Sequence, residues 1–313
     1  MANGYRRPPF RYIRRMQTDS LLRRLRSASP QPVGQRLSLG PADLRMFGAI
    51  NRHGPLPSTY LHRFSGHKDR SAFANRLTKL YNGTAFCAPL LSRPPQQFQS
   101  FAARYQHLIY DLTPMSRALL RDQGVQPVDR TDPFLHRFMG ACVGASIEFA
   151  TGELGHRYIA RTEVLAKHGA TLATRVGVKT LIPDDLFGLQ YAKQGYRFFA
   201  VEVDRNTESI ERKPGGYNTF ARKLDGYLAL MMGQGFKECW GIPNLLVLTV
   251  TTNKTHLAHL IEHVRGNAGR YADHFLFKAN PDFGVNWRIP EIMTDLLREP
   301  WARGTGSFDI AQP

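Results

Sequence analysis

Between Phe198 and Glu208 the chain reads F-F-A-V-E-V-D-R-N-T-E, an apolar run of aromatic and β-branched residues that carries two carboxylates. Its composition is that of a buried strand. Side chains two apart in a strand share a face, so Glu202 and Asp204 project together while Val201 and Val203 face the other way. Two acids on one face of such a strand are costly unless basic partners or a divalent ion meet them. A third acid is close at hand. Val178 to Asp185, V-K-T-L-I-P-D-D, reads as a strand ending in Pro-Asp-Asp, a hairpin's length upstream. Paired, the two strands would set Asp184 beside Glu202 at one sheet end, and hard oxygen donors in that number suit Mg²⁺ or Mn²⁺.

At 313 residues the chain is long enough for two domains, each with a core. Its net charge of +17 is unevenly placed. Residues 1–130 hold 21 Lys and Arg against 6 Asp and no Glu, a balance of +15, whereas residues 131–313 hold 21 against 19, a balance of +2. A basic first part joined to a nearly neutral second part with clustered acids points to polyanion binding in the first and other work in the second. Cys87, Cys142 and Cys239 are odd in number and widely spaced, as expected of reduced thiols in a cytoplasmic protein. No apolar run approaches a membrane span, so no membrane partner is expected.

Residues 1–38 form an Arg-rich, Pro-interrupted basic arm that can follow phosphates or stay solvated. Three short helices are expected next: one from Pro41 to Gly54, one from Leu56-Pro57-Ser58 to Phe64 with Ser58 as N-cap, and one over Arg70–Tyr81 capped by Asp69. Two strands follow, Ala85–Leu91 and His107–Leu112, flanking a Pro/Gln loop. That order is the order of a winged helix-turn-helix over residues 39–124, in which the third helix enters the major groove of double-stranded DNA and the hairpin touches the backbone. Arg70, Asn75, Arg76 and Lys79 on the third helix and Arg93 and Arg104 in the loop are the candidate DNA-binding residues. The competing reading is a small helical domain that makes protein contacts.

After a helix over Met115–Asp122, capped by Thr113, a polar stretch at Gly124–Pro133 marks the expected domain boundary. The second domain reads as helix Phe134–Thr151, a strand Tyr158–Leu165, the two acidic strands, an amphipathic helix over Tyr217–Met231, strand Leu245–Val250, helix Thr255–Val264 and strand His274–Phe277, an α/β order. His256, His259 and His263 share the third of those helices and invite a zinc reading, against which stand the lack of a nearby cysteine and the alternative of a basic helix. No nucleophile elbow and no Walker pattern is present.

Pro183-Asp184, a hairpin-like gap and Glu202-x-Asp204 on a strand before a helix resemble the PD-(D/E)xK nuclease superfamily. The resemblance implies that Asp184 and Glu202 bind a divalent ion, that Glu148 is the acid from the upstream helix, and that the ion polarises a phosphodiester. Asp204 stands where the superfamily has lysine; it joins the metal set, and the lysine's role would move to Lys223, or failing that Lys213. Leu39-Gly40-Pro41-Ala42-Asp43-Leu44, Tyr110-Asp111-Leu112-Thr113-Pro114, Ile182-Pro183-Asp184 and V-E-V-D-R-N-T-E are, in that order, similar to the replication-relaxation family of plasmid and mobile-element proteins. That resemblance implies a winged helix joined over residues 134–313 to a restriction-endonuclease-like α/β domain, α+β overall. The catalytic set would be Asp184, Glu202, Asp204 and Lys223, with Mg²⁺ or Mn²⁺ as cofactor if the domain is active.

Three functions fit these residues. The first is a plasmid or mobile-element DNA-binding protein with a metal-dependent nuclease-like domain, acting in replication, relaxation or mobilisation as an endonuclease or nickase. The second is a non-catalytic winged-helix regulator or accessory factor whose carboxylates are salt-bridged. The third is an interaction scaffold without nucleic acid. A second copy of the chain and plasmid replication or mobilisation proteins are the candidate protein partners.

Overall fold

The computed structural model describes residues 30–32, 34, 36–98, 107–177, 179–192, 195–205, 210, 220–284 and 287–313. Most of the basic arm, together with Arg104, Glu208, Arg212 and Lys213, lies outside the described residues.

The first helix, α1 (Pro41–His53), starts on a proline, whose missing N–H costs nothing there. Asp43 in its first turn accepts the Gly40 N–H at 2.8 Å. Strand β1 (Leu56–Pro57) leads into α2 (Ser58–Ser65), in which Ser58 is the first helical residue and Pro57, with no side-chain bond to give, holds the cap position expected of Ser58. Helix α3 (Arg70–Asn82) is capped by Asp69, which accepts the Ala72 N–H at 2.8 Å. Phe73, Leu77, Leu80 and Tyr81 form its buried face. Strands β2 (Leu91–Ser92) and β3 (Ile109–Leu112) join β1 in an antiparallel sheet of order β1-β3-β2. The strand expected over Ala85–Leu91 is only a Thr84–Cys87 bridge plus β2. Pro89 between them has no N–H to give a ladder. Helix α4 (Pro114–Asp122) closes the unit, with Thr113 accepting the Ser116 N–H.

The long helix α5 (Phe134–Glu153) then leads to β4 (Arg157–Ile159) and to α6 (Arg161–Ala166), which replaces the second half of the strand expected over Tyr158–Leu165. Small residues let α5 pack closely. A Cβ at Gly144 would stand 2.7 Å from His53 Nδ1, so a side chain there would displace α1. The strand expected over residues 178–184 is two pieces: β6 (Lys179–Leu181), paired with β5 (Thr174–Val176), and β7 (Asp185–Gln190), with Pro183 breaking the run between them. Next come β8 (Tyr196–Asp204), α7 (Phe220–Met232), α8 (Gly235–Trp240), β9 (Leu246–Thr251), α9 (Lys254–Asn267), β10 (Phe275–Ala279), α10 (Asp295–Arg298), β11 (Trp301–Ala302) and β12 (Ser307–Phe308).

Seven strands form one mixed sheet of order β12-β11-β10-β9-β8-β7-β4. Strands β4, β7 and β8 alternate in direction, and β8, β9 and β10 run parallel. The alternation along β8 sorts its side chains: Phe199, Val201 and Val203 join a core with α5 and α1, and Ala200 joins a second core with Leu224 and Tyr227 of α7 and Leu260 of α9. The first core runs unbroken from Met46 and Phe47 through Phe138 to Val203 and Trp301. Apolar packing therefore continues across the connection at residues 124–133, and Tyr60 Oη donates to the Glu291 carbonyl at 2.9 Å from the far side of it. Each large side chain fully buried in this way contributes roughly 1.5–3 kcal/mol.

Candidate active site

Asp184 sits just before β7 rather than at the end of a preceding strand, and its place is fixed by β8. Its backbone N–H donates to Val201 O at 3.0 Å, and its Oδ2 accepts the Val203 N–H at 2.7 Å. The register Asp185–Val201 thus continues by one more step and brings Asp184 opposite Glu202. Glu202 points to the α7 side, where Tyr227 Oη donates to Oε1 at 2.5 Å and Lys223 Nζ lies 2.9 Å from Oε2. Lys223 and Tyr227 are four apart, so one helical face supplies both.

Burial is the largest influence on Glu202 and, with Asp184 alongside, outweighs the pull of Lys223 and Tyr227, so its carboxyl is pushed up to about 7. Burial acts on Asp184 in the same sense but loses. The His136 hydrogen bond, the Lys223 charge and the Val203 N–H hold Asp184 below the usual carboxylate range. His136 Nε2, from the first turn of α5, stands 2.9 Å from Asp184 Oδ1. Burial works to lower His136, and its bond to Asp184 outweighs that and raises it. His136, Asp184 and Val203 line a cavity of about 20 Å³, room for about one water molecule, with Arg130 and Arg137 on its wall.

The other candidates separate from this group. Asp204 shares the face of Glu202 but turns to α9, where His256 Nε2 is 2.7 Å from its Oδ2. The histidine row on α9 therefore engages a carboxylate through His256. Glu148 lies 12 residues beyond His136 on α5, about 18 Å along the axis. It is held there by Arg52 at 2.8 Å and His53 at 2.5 Å. Burial alone would raise Glu148, but His53 and Arg52 outweigh it and hold the carboxyl at about 2. Asp185, on the opposite face from Glu202, meets Arg130 and Arg161 at 3.6 and 3.5 Å.

Among the described residues no three His, Cys, Asp or Glu side chains gather as a metal centre. Two hard-oxygen donors do meet, Asp184 and Glu202. Glu202 Oε2 is buried and faces the Lys223 ammonium, and the Thr249 and Thr251 hydroxyls, which register with Glu202 and Asp204 across β8 and β9, are buried without a hydrogen-bond partner among the described residues. Asp184 and Glu202 are hard oxygen donors of the kind that suit Mg²⁺ or Mn²⁺, and a divalent cation between them would offset the repulsion between the two acids.

His136 and Tyr227 escaped sequence reasoning as site residues, since one stands in a helix start and the other on an amphipathic core face. The tyrosine carried a usable signal, being a polar tip on a stripe otherwise made for burial.

On the first unit, Arg70, Asn75 and Lys79 of α3 are exposed. Arg76 is not available in the same way. Its Nε and Nη2 grip both oxygens of Asp43 at 2.9 and 2.5 Å, and Nη2 also reaches Ser38 O at 2.6 Å. Arg93 packs its guanidinium 3.7 Å from the Tyr81 ring centre and donates to Tyr110 Oη at 3.2 Å, bracing the sheet against α3. No described helix is long and apolar enough to cross a membrane.

Residues 47–245 match a family model described as replication-relaxation. No curated protein and no solved structure matches.

Proposed function

Because the chain belongs to the replication-relaxation family, we propose that it is a DNA-binding protein of a plasmid or mobile element, and that its sheet carries a metal-dependent phosphodiester-cleaving centre used in replication or relaxation. The observation that carries this reading is Asp184 pinned opposite Glu202 at the ends of β7 and β8, with Lys223 2.9 Å from Glu202 on the next helix. The element order supports it. In the order α5-β4-β7-β8-α7-β9, with α6, the small β5-β6 hairpin and α8 inserted, Glu202 and Asp204 lie on a strand that precedes a helix, as the PD-(D/E)xK resemblance implies.

In this centre Asp184 and Glu202 would hold Mg²⁺ or Mn²⁺. When bound, the ion supplies a Lewis acid that polarises the phosphoryl oxygen and eases charge at the leaving oxygen. Lys223 favours the ionised form of Glu202 against the burial that raises it, and would orient the attacking water. His136 fixes the rotamer of Asp184, and Tyr227 that of Glu202. The helices α1 to α3 and the small sheet serve as a winged helix that offers Arg70, Asn75 and Lys79 to duplex DNA, with phosphate contacts supplying a salt-dependent affinity.

The test is relaxation or nicking of a supercoiled plasmid with Mn²⁺ or Mg²⁺, by wild type and by Asp184→Asn. Ion-dependent cleavage lost in the variant supports the centre. A second reading, a non-catalytic DNA-binding accessory factor, is favoured by one observation: Asp184, Glu202 and Asp204 each already face a basic group, His136, Lys223 and His256. Salt-sensitive duplex binding without cleavage or Mn²⁺-dependent stabilisation would select it.

A further inference from the structure

At the end of the sheet opposite Glu202, where β8 and β9 begin and β10 follows a 3₁₀ turn over Gly269–His274, lies a cavity of about 570 Å³. Tyr196 on its wall is six residues before Glu202 along β8, about 20 Å away. The volume lies within the range of small-molecule sites.

The lining combines cations with flat rings. Arg197 and Arg303 both lie over the Phe308 ring, 4.8 and 5.4 Å from its centre. Each is further steadied by a backbone acceptor, Gln312 O for Arg197 at 3.1 Å and Thr305 O for Arg303 at 3.2 Å. Guanidinium groups fixed in this way keep other N–H donors for a ligand, and their planar fork matches phosphate. Lys237 adds a third cation, steered by Gln234 Oε1 at 2.7 Å. The acid on the wall, Asp273, accepts from the Thr305 hydroxyl through both its oxygens at 2.7 Å and also faces Arg303, whose Nε is 4.0 Å from its Oδ1. His274 Nδ1 is buried near the Tyr271 backbone without a hydrogen bond of good geometry. Tyr196 and Tyr271 stand on the wall with Phe236 and other apolar residues, and Tyr196 is 49% exposed. Three cations against one acid still leave a positive excess that favours an anion, and half-exposed rings beside them favour a planar partner stacked against it.

We propose that this cavity binds a nucleotide, with its phosphate on Arg197 and Arg303 and its base against Tyr196 or Tyr271. The nucleotide can be free or one unit of a single strand. This site is separate from the centre at Glu202 and does not depend on it.

Calorimetric titration of the full chain with thymidine monophosphate, with a 12-residue oligothymidylate and with inorganic phosphate tests the proposal. Stacking on a tyrosine predicts at least about a fivefold loss in Tyr196→Ala for the nucleotide ligands. Arg303→Ala should weaken them by at least about tenfold, as should Arg197→Ala, because each removes charge-assisted bonds to phosphate. Binding of the monophosphate identifies a free-nucleotide site. Binding of the oligomer alone identifies a strand unit. Phosphate bound as tightly as the monophosphate, with no response to Tyr196→Ala, overturns the proposal. Because a variant can fail to fold and other basic surfaces can capture the oligomer, wild type is also photocrosslinked to an oligothymidylate bearing 4-thiothymidine. Adducts on Tyr196, Phe236, Tyr271 or their neighbours are expected, and adducts confined to residues 30–98 overturn it.

Discussion

Replacing Glu202 with Gln removes a buried carboxyl whose ionisation the fold resists. With its folded value at about 7 against an ordinary 4.5, Glu202 is protonated in both states at low pH. As pH rises past the ordinary value, the unfolded chain ionises first, so this group favours folding fully below about pH 4.5 and loses that advantage progressively up to about pH 7. Linkage puts the cost to wild type at about 1 kcal/mol at pH 5 and about 3 kcal/mol at pH 8. Gln mimics the protonated form, so Glu202→Gln should gain about 2–3 kcal/mol relative to wild type between pH 5 and pH 8. Urea unfolding at the two pH values, without divalent ions, measures the difference. Adding Mn²⁺ should then restore stability to wild type at pH 8 more than at pH 5, since protons compete with the metal for the same oxygens, and should do little for the variant. A variant less stable than wild type by about 3–5 kcal/mol at pH 8, with wild type indifferent to Mn²⁺, would refute the reasoning. Glu202 would then be a structural partner of Lys223 whose loss strands a buried charge.

Lys223→Ala should abolish ion-dependent cleavage while leaving Mn²⁺-dependent stabilisation in place, read by thermal melts beside plasmid assays; full cleavage would remove Lys223 from the centre. Lys79→Ala should weaken duplex binding without moving the melting point, whereas Arg76→Ala should cost about 2–3 kcal/mol of stability by stranding Asp43, seen in urea titrations. Glu148→Gln should cost up to about 3 kcal/mol at neutral pH and nothing extra near pH 2. The Glu148 contribution is complete above about pH 4.5 and is lost as pH falls through about 2, and Mn²⁺ stabilisation should be unaffected.

Local chemistry determined much of this protein before any contact was known. Pro41, Asp69 with the apolar spacing Phe73, Leu77 and Leu80, and Thr113-Pro114 place helices because caps and period 3.6 act within a few residues. The run Phe198 to Asp204 is a strand for the same kind of reason, and its alternation assigns Glu202 and Asp204 to one face. Tertiary structure decided which charges meet. A helical period says that Arg76 and Glu148 leave the apolar stripe, but only the docking of α3 on α1 gives Arg76 to Asp43, and only the crossing of α5 over α1 gives Glu148 to Arg52 and His53. Asp204 is likewise claimed by His256, 52 residues away. Asp184 came to Glu202 by a different route from the one its sequence suggests: Pro183 ends one strand and the next begins after it, and the β8 backbone then captures the carboxylate. Pairing energies of this kind depend on distance and burial, which a linear pattern does not encode, whereas caps, turns and periodicity are written in neighbouring residues.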